Sequence, residues 1–357
     1  MGAFSGPLSL VYRKGYTPVM GLLADLSTQY RTLSIVGMAK NAGKTTALNY
    51  LIEAADDEGI VLGITSTGRD GETSDLVTET EKPRVYLYED TIVSVPTLLY
   101  ELAEAGLEIL GKSDYRTAIG EMLLCRVRES GYVQIAGPVA TADTRRLCQA
   151  MFTHGAELVL IDGAIDRKSI ASPESSDAII LATGAVLSRS LKKVVDETVH
   201  VYALYNLPEL ETGPARTLLE EKALEDRVTL LEQETARTLD LTTGLGASRF
   251  IDQSIQDDTT YIYIPGAFTK SVISDISLSH LKQVTFVLKD PTRIFFDAVS
   301  WRQLAKKGMR VKVLKNIRVA AVTVNPYSPE GYSFDSHQLR DAVAEVITDI
   351  PVMDVRM

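Results

Sequence analysis

The sequence predicts a three-layer α/β protein on a mainly parallel sheet, followed by a C-terminal α/β unit. Three observations carry this expectation. Short β-branched runs alternate along the chain with amphipathic helical stretches, the pattern of parallel strands joined by helical crossovers. Some of those runs, such as Leu158-Val159-Leu160-Ile161, are apolar throughout and read as buried strands. Finally, 357 residues with 45% hydrophobic and 24% charged side chains suffice for two or three domains and a large core without disulfides.

Taken in order, the run at 32–37 (TLSIVG) is a buried strand. A helix over 45–56 follows, with Leu48, Leu51, Ile52 and Ala55 on one face. The run at 60–66 is a second strand, and 84–87 and 91–95 are short ones, followed by a helix over 96–106. The spacing over 116–130 and 141–154 predicts two further helices around a strand at 132–136. A strand at 157–161 ends in Asp162-Gly163, and another lies at 178–182. Beyond it come a helix near 187–198 and a strand at 199–205. The stretch 209–257 is rich in Glu and Thr and shows no clear period. A last unit over 260–357 carries strands at 261–264, 284–287, 311–314, 319–324 and 352–355. Composition alone divides the chain into a nucleotide-binding domain over 1–250 and a C-terminal unit over 251–357.

Lys plus Arg is 37 and Asp plus Glu is 47, giving a net charge of −10. That balance argues against the basic stripe a nucleic-acid partner would want, so no nucleic-acid partner is expected. Neither a signal-type N-terminus nor the myristoylation pattern is found, since Gly6 stands where Ser or Thr is wanted. No apolar run approaches the ~20 residues of a membrane span. The expected location is the cytoplasm, with no membrane partner. Cys125 and Cys148 match no metal or redox spacing and read as reduced core thiols. His154, His200, His280 and His337 share no metal-ligand spacing, and no nucleophile signature such as G-x-S-x-G is found.

The chemistry concentrates in Gly37-Met38-Ala39-Lys40-Asn41-Ala42-Gly43-Lys44-Thr45-Thr46. It follows a strand and opens a helix, which is the context of a P-loop and so of a three-layer P-loop NTPase. Small residues let backbone N–H groups curl around phosphate oxygens, and the helix N-terminus adds partial positive charge there. The expected cofactors are ATP and Mg²⁺. Gly37, Lys40, Asn41, Ala42, Gly43, Lys44, Thr45 and Thr46 form the candidate nucleotide site. In it Lys44 reaches the β- and γ-phosphates and the Thr45 hydroxyl ligates Mg²⁺. The strict pattern wants glycine at position 38, where this chain has Met38. Gly37 sits one residue early, so the loop is expected to be one residue longer.

Asp162, ending an apolar strand, is the candidate catalytic and Mg²⁺-orienting carboxylate, placed with the loop at the carboxyl edge of a parallel sheet. Asp70, with Arg69 and Glu72 beside it, leaves the second strand at the same edge and reads either as a metal or water ligand or as a polar turn. Lys40 reads either as a second phosphate ligand, acting across a homodimer, or as a solvated loop lysine. The polar stretch Asp166-Arg167-Lys168-Ser169-Ile170-Ala171-Ser172-Pro173 reads as a switch-like loop or as ordinary surface. Asn325-Pro326 ends another strand and reads as a ligand contact or a turn.

On four stretches the chain resembles the P-loop subunit of the reactivase for lysine 5,6-aminomutase. These are Ser34-Ile35-Val36-Gly37 through Thr46 with Leu48-Asn49-Tyr50-Leu51-Ile52; Thr65-Ser66-Thr67-Gly68-Arg69-Asp70-Gly71-Glu72; Ile161-Asp162-Gly163-Ala164-Ile165-Asp166-Arg167-Lys168 with Ala171-Ser172-Pro173; and Val322-Thr323-Val324-Asn325-Pro326-Tyr327-Ser328-Pro329-Glu330-Gly331-Tyr332. The loop alone is unspecific, because the adapter protein of molybdopterin-guanine dinucleotide synthesis has a similar one. The resemblance implies a chaperone-like ATPase that, with a second reactivase subunit, docks on the adenosylcobalamin-dependent mutase and helps expel damaged cobalamin. No Asp-x-His-x-x-Gly signature is found, so this chain is not expected to carry cobalamin itself. Two other readings stand beside it. One is a small-molecule kinase or ATP-dependent ligase with Arg69, Arg167 or Lys168 as a substrate clamp. The other is a nucleotide-binding adapter without turnover.

Overall fold

The computed structural model describes residues 21–67, 84–117, 120–138, 140–163, 176–233 and 235–355. The first elements are α1 (Leu22–Gln29), β1 (Thr32–Gly37), α2 (Lys44–Glu58), β2 (Leu62–Ser66), β3 (Val85–Leu87), β4 (Ile92–Pro96) and α3 (Thr97–Tyr100). Then come β5 (Gly106–Thr117), β6 (Gly120–Glu129), β7 (Gly131–Val133), α4 (Thr141–Thr153), β8 (Leu158–Asp162), β9 (Ala178–Gly184) and α5 (Leu191–Tyr205). The next group is α6 (Pro214–Ala223), β10 (Thr229–Glu232), β11 (Thr235–Thr238), α7 (Ser248–Ser254), β12 (Thr259–Ile264), α8 (Lys270–Ile273) and α9 (Leu278–Gln283). The chain closes with β13 (Thr285–Leu288), α10 (Ala298–Lys306), β14 (Arg310–Val313), β15 (Val319–Asn325), α11 (Ser336–Ala344) and β16 (Val352–Asp354).

A nine-stranded sheet in the order β16-β15-β9-β1-β8-β2-β4-β6-β5 organises the molecule. From β16 to β4 every neighbouring pair is parallel. β6 runs antiparallel to β4, and β5 antiparallel to β6. The protein is thus a mixed α/β structure on a large, mostly parallel sheet.

The continuous apolar strands follow from burial on both faces. In β8, Leu158 and Leu160 pack with Leu23 and Leu26 of α1 and Leu48 and Leu51 of α2. The alternate residues Val159 and Ile161 pack with Leu147, Cys148 and Met151 of α4. β9 divides likewise, Ile180 joining the α1–α2 side while Ile179 and Leu181 meet Val194 of α5 and Leu339 and Val343 of α11. Burying each such side chain stabilises by ~1.5–3 kcal/mol. α2 stops at Gly59, whose left-handed backbone (φ 69°) lets its N–H reach the carbonyls of Ala55 and Asp56.

The structure corrects four local expectations. Of residues 116–130, read as a helix, 116–117 close β5 and 120–129 form β6. The run Met122-Leu123-Leu124-Cys125 is buried throughout and pairs with β4 on one side and β5 on the other. Such pairing overrides local helical spacing. The expected helix over 96–106 is the single turn α3, because β5 begins at Gly106. The strand expected at 132–136 is shorter and lies earlier, as β7, paired antiparallel with β3 in a separate ribbon. Residues 199–205, read as a strand from their β-branched content, continue α5 to Tyr205. Val199, Val201 and Tyr202 pack against the core shared with α11, and such tertiary packing outweighs a few tenths of a kcal/mol in helix propensity.

Sheet membership also departs from the expected division at 250/251. β11-β10-β12-β13-β14 make a second, five-stranded sheet, which that boundary cuts, whereas β15 and β16 belong to the first sheet. The second sheet is therefore inserted between α5 and β15. Its core, centred on Phe268, Phe286 and Ile262, also takes in Leu204 of α5. His200 of α5 lies 2.9 Å from the carbonyl of Phe296, tying the insertion to the first sheet's helix layer.

Both cysteines are free and buried. Burial pushes the Cys125 thiol up to about 11 and the Cys148 thiol up to about 12. Only the thiolate reacts, so both should resist a disulfide reagent at pH 8 by at least about 100-fold relative to the denatured chain. Thiol titration of the native protein checks this. Rapid modification of either cysteine would mean that its layer opens.

Candidate functional site

The parallel order brings the carboxyl ends of β15, β9, β1, β8 and β2 to one edge of the sheet. β1 lies between β8 and β9, where successive connections leave in opposite directions, and such a switch point opens a crevice at the strand ends. Six residues, 38–43, join β1 to α2 across that crevice. The loop is fixed from below by the Met38 N–H, which donates to the Ala182 carbonyl of β9 at 2.9 Å. Within it Ala42 N donates to Ala39 O at 3.3 Å, and Ala47 N reaches back to Gly43 O at 2.9 Å to start α2.

Two residues of the loop are left-handed, Asn41 with φ 65° and Gly43 with φ 101°. Asparagine tolerates that region better than most residues, and at Gly43 glycine is required. A Cβ on Gly43 would lie 2.9 Å from Cβ of Asn325. Gly37, the last residue of β1, serves a different contact, since its Cβ would meet Lys44 Cγ at 2.9 Å. Lys44 lies back over the strand end and donates from Nζ to the Gly163 carbonyl. Ala42 is buried, Lys40 and Asn41 are exposed, and Thr45 and Thr46 are half-buried in the first turn of α2.

Asp162 ends β8 and is in register with Ile35 of β1 and Ser66 of β2. Its carbonyl accepts from Thr67 N at 3.0 Å and from Ser66 Oγ at 3.2 Å. The following Gly163 N–H donates to Ile35 O at 3.2 Å. These bonds clamp the backbone around Asp162 and leave its half-buried carboxylate at the sheet edge. The structure thus brings Gly37, Lys44, Thr45 and Asp162 to one edge. Asp70, with Arg69 and Glu72, and the stretch 166–173 with Arg167 and Lys168 lie outside the described residues. Among the described residues no three of His, Cys, Asp and Glu converge on one point.

Two features of the site are not readable locally. Asn325, at the end of β15, donates from Nδ2 to the Asn41 carbonyl at 3.2 Å across 284 positions of sequence. Its only sequence signal is a polar residue and a proline closing an apolar strand. On the far side, Gly137 is pressed against the end of β2, where a Cβ would lie 1.7 Å from the Ser66 carbonyl oxygen. No motif marks Gly137 for that contact.

No family model, no curated protein and no solved structure matches the chain. What fold and edge define is a mixed α/β protein with a lysine-bearing loop and an aspartate on adjacent parallel strands. Among the described residues no helix is long and apolar enough to cross a membrane.

Proposed function

We propose that the chain is a P-loop NTPase that binds ATP with Mg²⁺ and hydrolyses it as a subunit of a reactivase for adenosylcobalamin-dependent lysine 5,6-aminomutase. The observation that supports nucleotide binding best is the pairing of β1 with β8. It sets Ile35 opposite Asp162 and puts Lys44 in contact with the carbonyl that follows Asp162. Lysine and aspartate are thereby brought to the same edge of the sheet, beside the N-terminus of α2, where a helix favours phosphate. Bound nucleotide supplies a γ-phosphate whose transfer needs positioning and charge neutralisation. On this reading Lys44 would turn its ammonium from the Gly163 carbonyl to the phosphates, the Thr45 hydroxyl and Asp162 would hold Mg²⁺, and the loop amides would orient the phosphate oxygens.

The reactivase role rests on the sequence resemblance, and it requires a second reactivase subunit and the mutase as partners. ATP does useful work only if its binding favours a conformation with different affinity for the mutase or its cofactor. Exposed Lys40 is free to act either in its own loop or on a partner subunit's nucleotide.

The test is Mg-ATP binding and hydrolysis by the purified chain, with and without turnover-inactivated mutase and the second subunit. Lys44→Ala is expected to weaken Mg-ATP binding about 100-fold by removing a charge-assisted contact of ~3 kcal/mol. Turnover without any recovery of mutase activity would refute the reactivase role. A phosphorylated small molecule among the products would point instead to a kinase.

A further inference from the structure

Asn325 belongs to a strand that enters the sheet 284 residues after the loop it touches, and both ends of its amide are committed. Nδ2 donates to Asn41 O at 3.2 Å, and Oδ1 accepts from Tyr327 N at 3.2 Å. Flipping the amide would set an acceptor against the Asn41 carbonyl and a donor against the Tyr327 N–H, so the orientation is fixed by its partners. Backbone contacts hold the residue from both sides. The Gly43 Cα is so close to Asn325 Cβ that an added Cβ would lie 2.9 Å away. On the other side, a Cβ on Gly184, which is in register with Asn325, would lie 2.3 Å from the Asn325 carbonyl oxygen. The two loop residues that Asn325 touches, Asn41 and Gly43, are the two in left-handed conformation. Asn41 accepts that conformation at less cost than most residues, and its carbonyl is held there by the Asn325 amide.

We infer that Asn325 is a positioning residue, which holds the 38–43 loop in its nucleotide-ready shape before any ligand arrives. This rests on the nucleotide-binding reading and adds to it the source of the loop's preorganisation. Strand β15 acts as a buttress, and ordering that would otherwise be charged against binding is completed on folding. The competing role for an asparagine at this edge is direct reading of the nucleoside base. Oδ1 and one N–H are already engaged, so the amide has a single N–H left to offer.

The two roles separate with a ligand that has phosphates and no base. Binding of Mg-ATP and of Mg-tripolyphosphate is measured for wild type and Asn325→Ala, with hydrogen exchange of 38–44 in the ligand-free chain. Positioning requires that both ligands weaken by the same factor, on the order of tenfold for one lost hydrogen bond and a loosened loop. It also requires faster exchange over 38–44 with an unchanged melting temperature. Weakened Mg-ATP with unaltered Mg-tripolyphosphate would assign Asn325 to the base and overturn the inference. No change in either ligand would overturn it too, leaving Asn325 a packing residue. Should Asn325→Ala fail to fold, Asn325→Asp keeps the shape and the acceptor for Tyr327 and loses the donor. Its ligand-free exchange over 38–44 must then rise, and wild-type protection would reject the clamp. A wild-type chain that binds neither ligand would instead refute the nucleotide reading itself, and this inference with it.

Discussion

Gly137→Ala is expected to destabilise the protein by ~3 kcal/mol or more. The added Cβ would lie 1.7 Å from the Ser66 carbonyl oxygen and 2.6 Å from Thr65 Oγ1. Its nearest obstacle is backbone, which cannot rotate aside as a long side chain does. The surroundings are equally fixed, because the buried Ser94 hydroxyl bridges Thr65 Oγ1 at 2.7 Å and the Ala136 carbonyl at 2.8 Å. The segment must therefore lift off the end of β2. A fall in melting temperature of roughly 4 °C or more is the expected readout. Because Ser66 and Thr67 hold the Asp162 carbonyl, Mg-ATP affinity should fall in the same variant at temperatures where it remains folded. A melting curve superimposable on wild type would show that Gly137 is not seated where the structure puts it.

Gly43→Ala should act on the site more than on stability. At φ 101° an L-residue is strained by ~1–2 kcal/mol, and the new methyl would press on Asn325 Cβ at 2.9 Å. In the ligand-free protein the loop relieves both by moving off Asn325, which breaks the Asn41 contact worth ~1 kcal/mol. On the proposed nucleotide reading, the ligand must then restore the loop, so the strain is subtracted from binding. A loss of roughly 30- to 100-fold in Mg-ATP affinity follows, with melting of the ligand-free chain shifted far less than by Gly137→Ala. Calorimetric titration beside a melting curve checks it. Undiminished affinity would mean that nucleotide does not use this loop.

The central layer was legible because its signals are local. The apolar runs of β1, β8 and β9, the order strand, loop, lysine, hydroxyl, helix around Lys44, and Asp162 closing β8 each lie within a few consecutive residues. The alternation of strand and helix fixed their parallel arrangement, and parallel strands put Lys44 and Asp162 at the same edge. For the helix read over 116–130 the same kind of reading failed. Met122-Leu123-Leu124-Cys125 satisfies a helical face and a doubly buried strand equally well, and only pairing with β4 and β5 decides between them. Residues 199–205 failed in the opposite sense, since β-branched residues packed on α11 remain helical.

By itself, then, the sequence determined a mostly parallel α/β sheet and the lysine, threonine and aspartate of its candidate site. Tertiary structure alone decided that the second sheet is an insertion and that β15 and β16 return to the first. It also decided that Asn325 and Gly137 flank the loop edge. The reason is one of range. Periodicity and turn chemistry act over a few bonds of chain and leave their mark in adjacent residues, whereas a hydrogen bond spanning 284 positions exists only once the strands between its ends have paired.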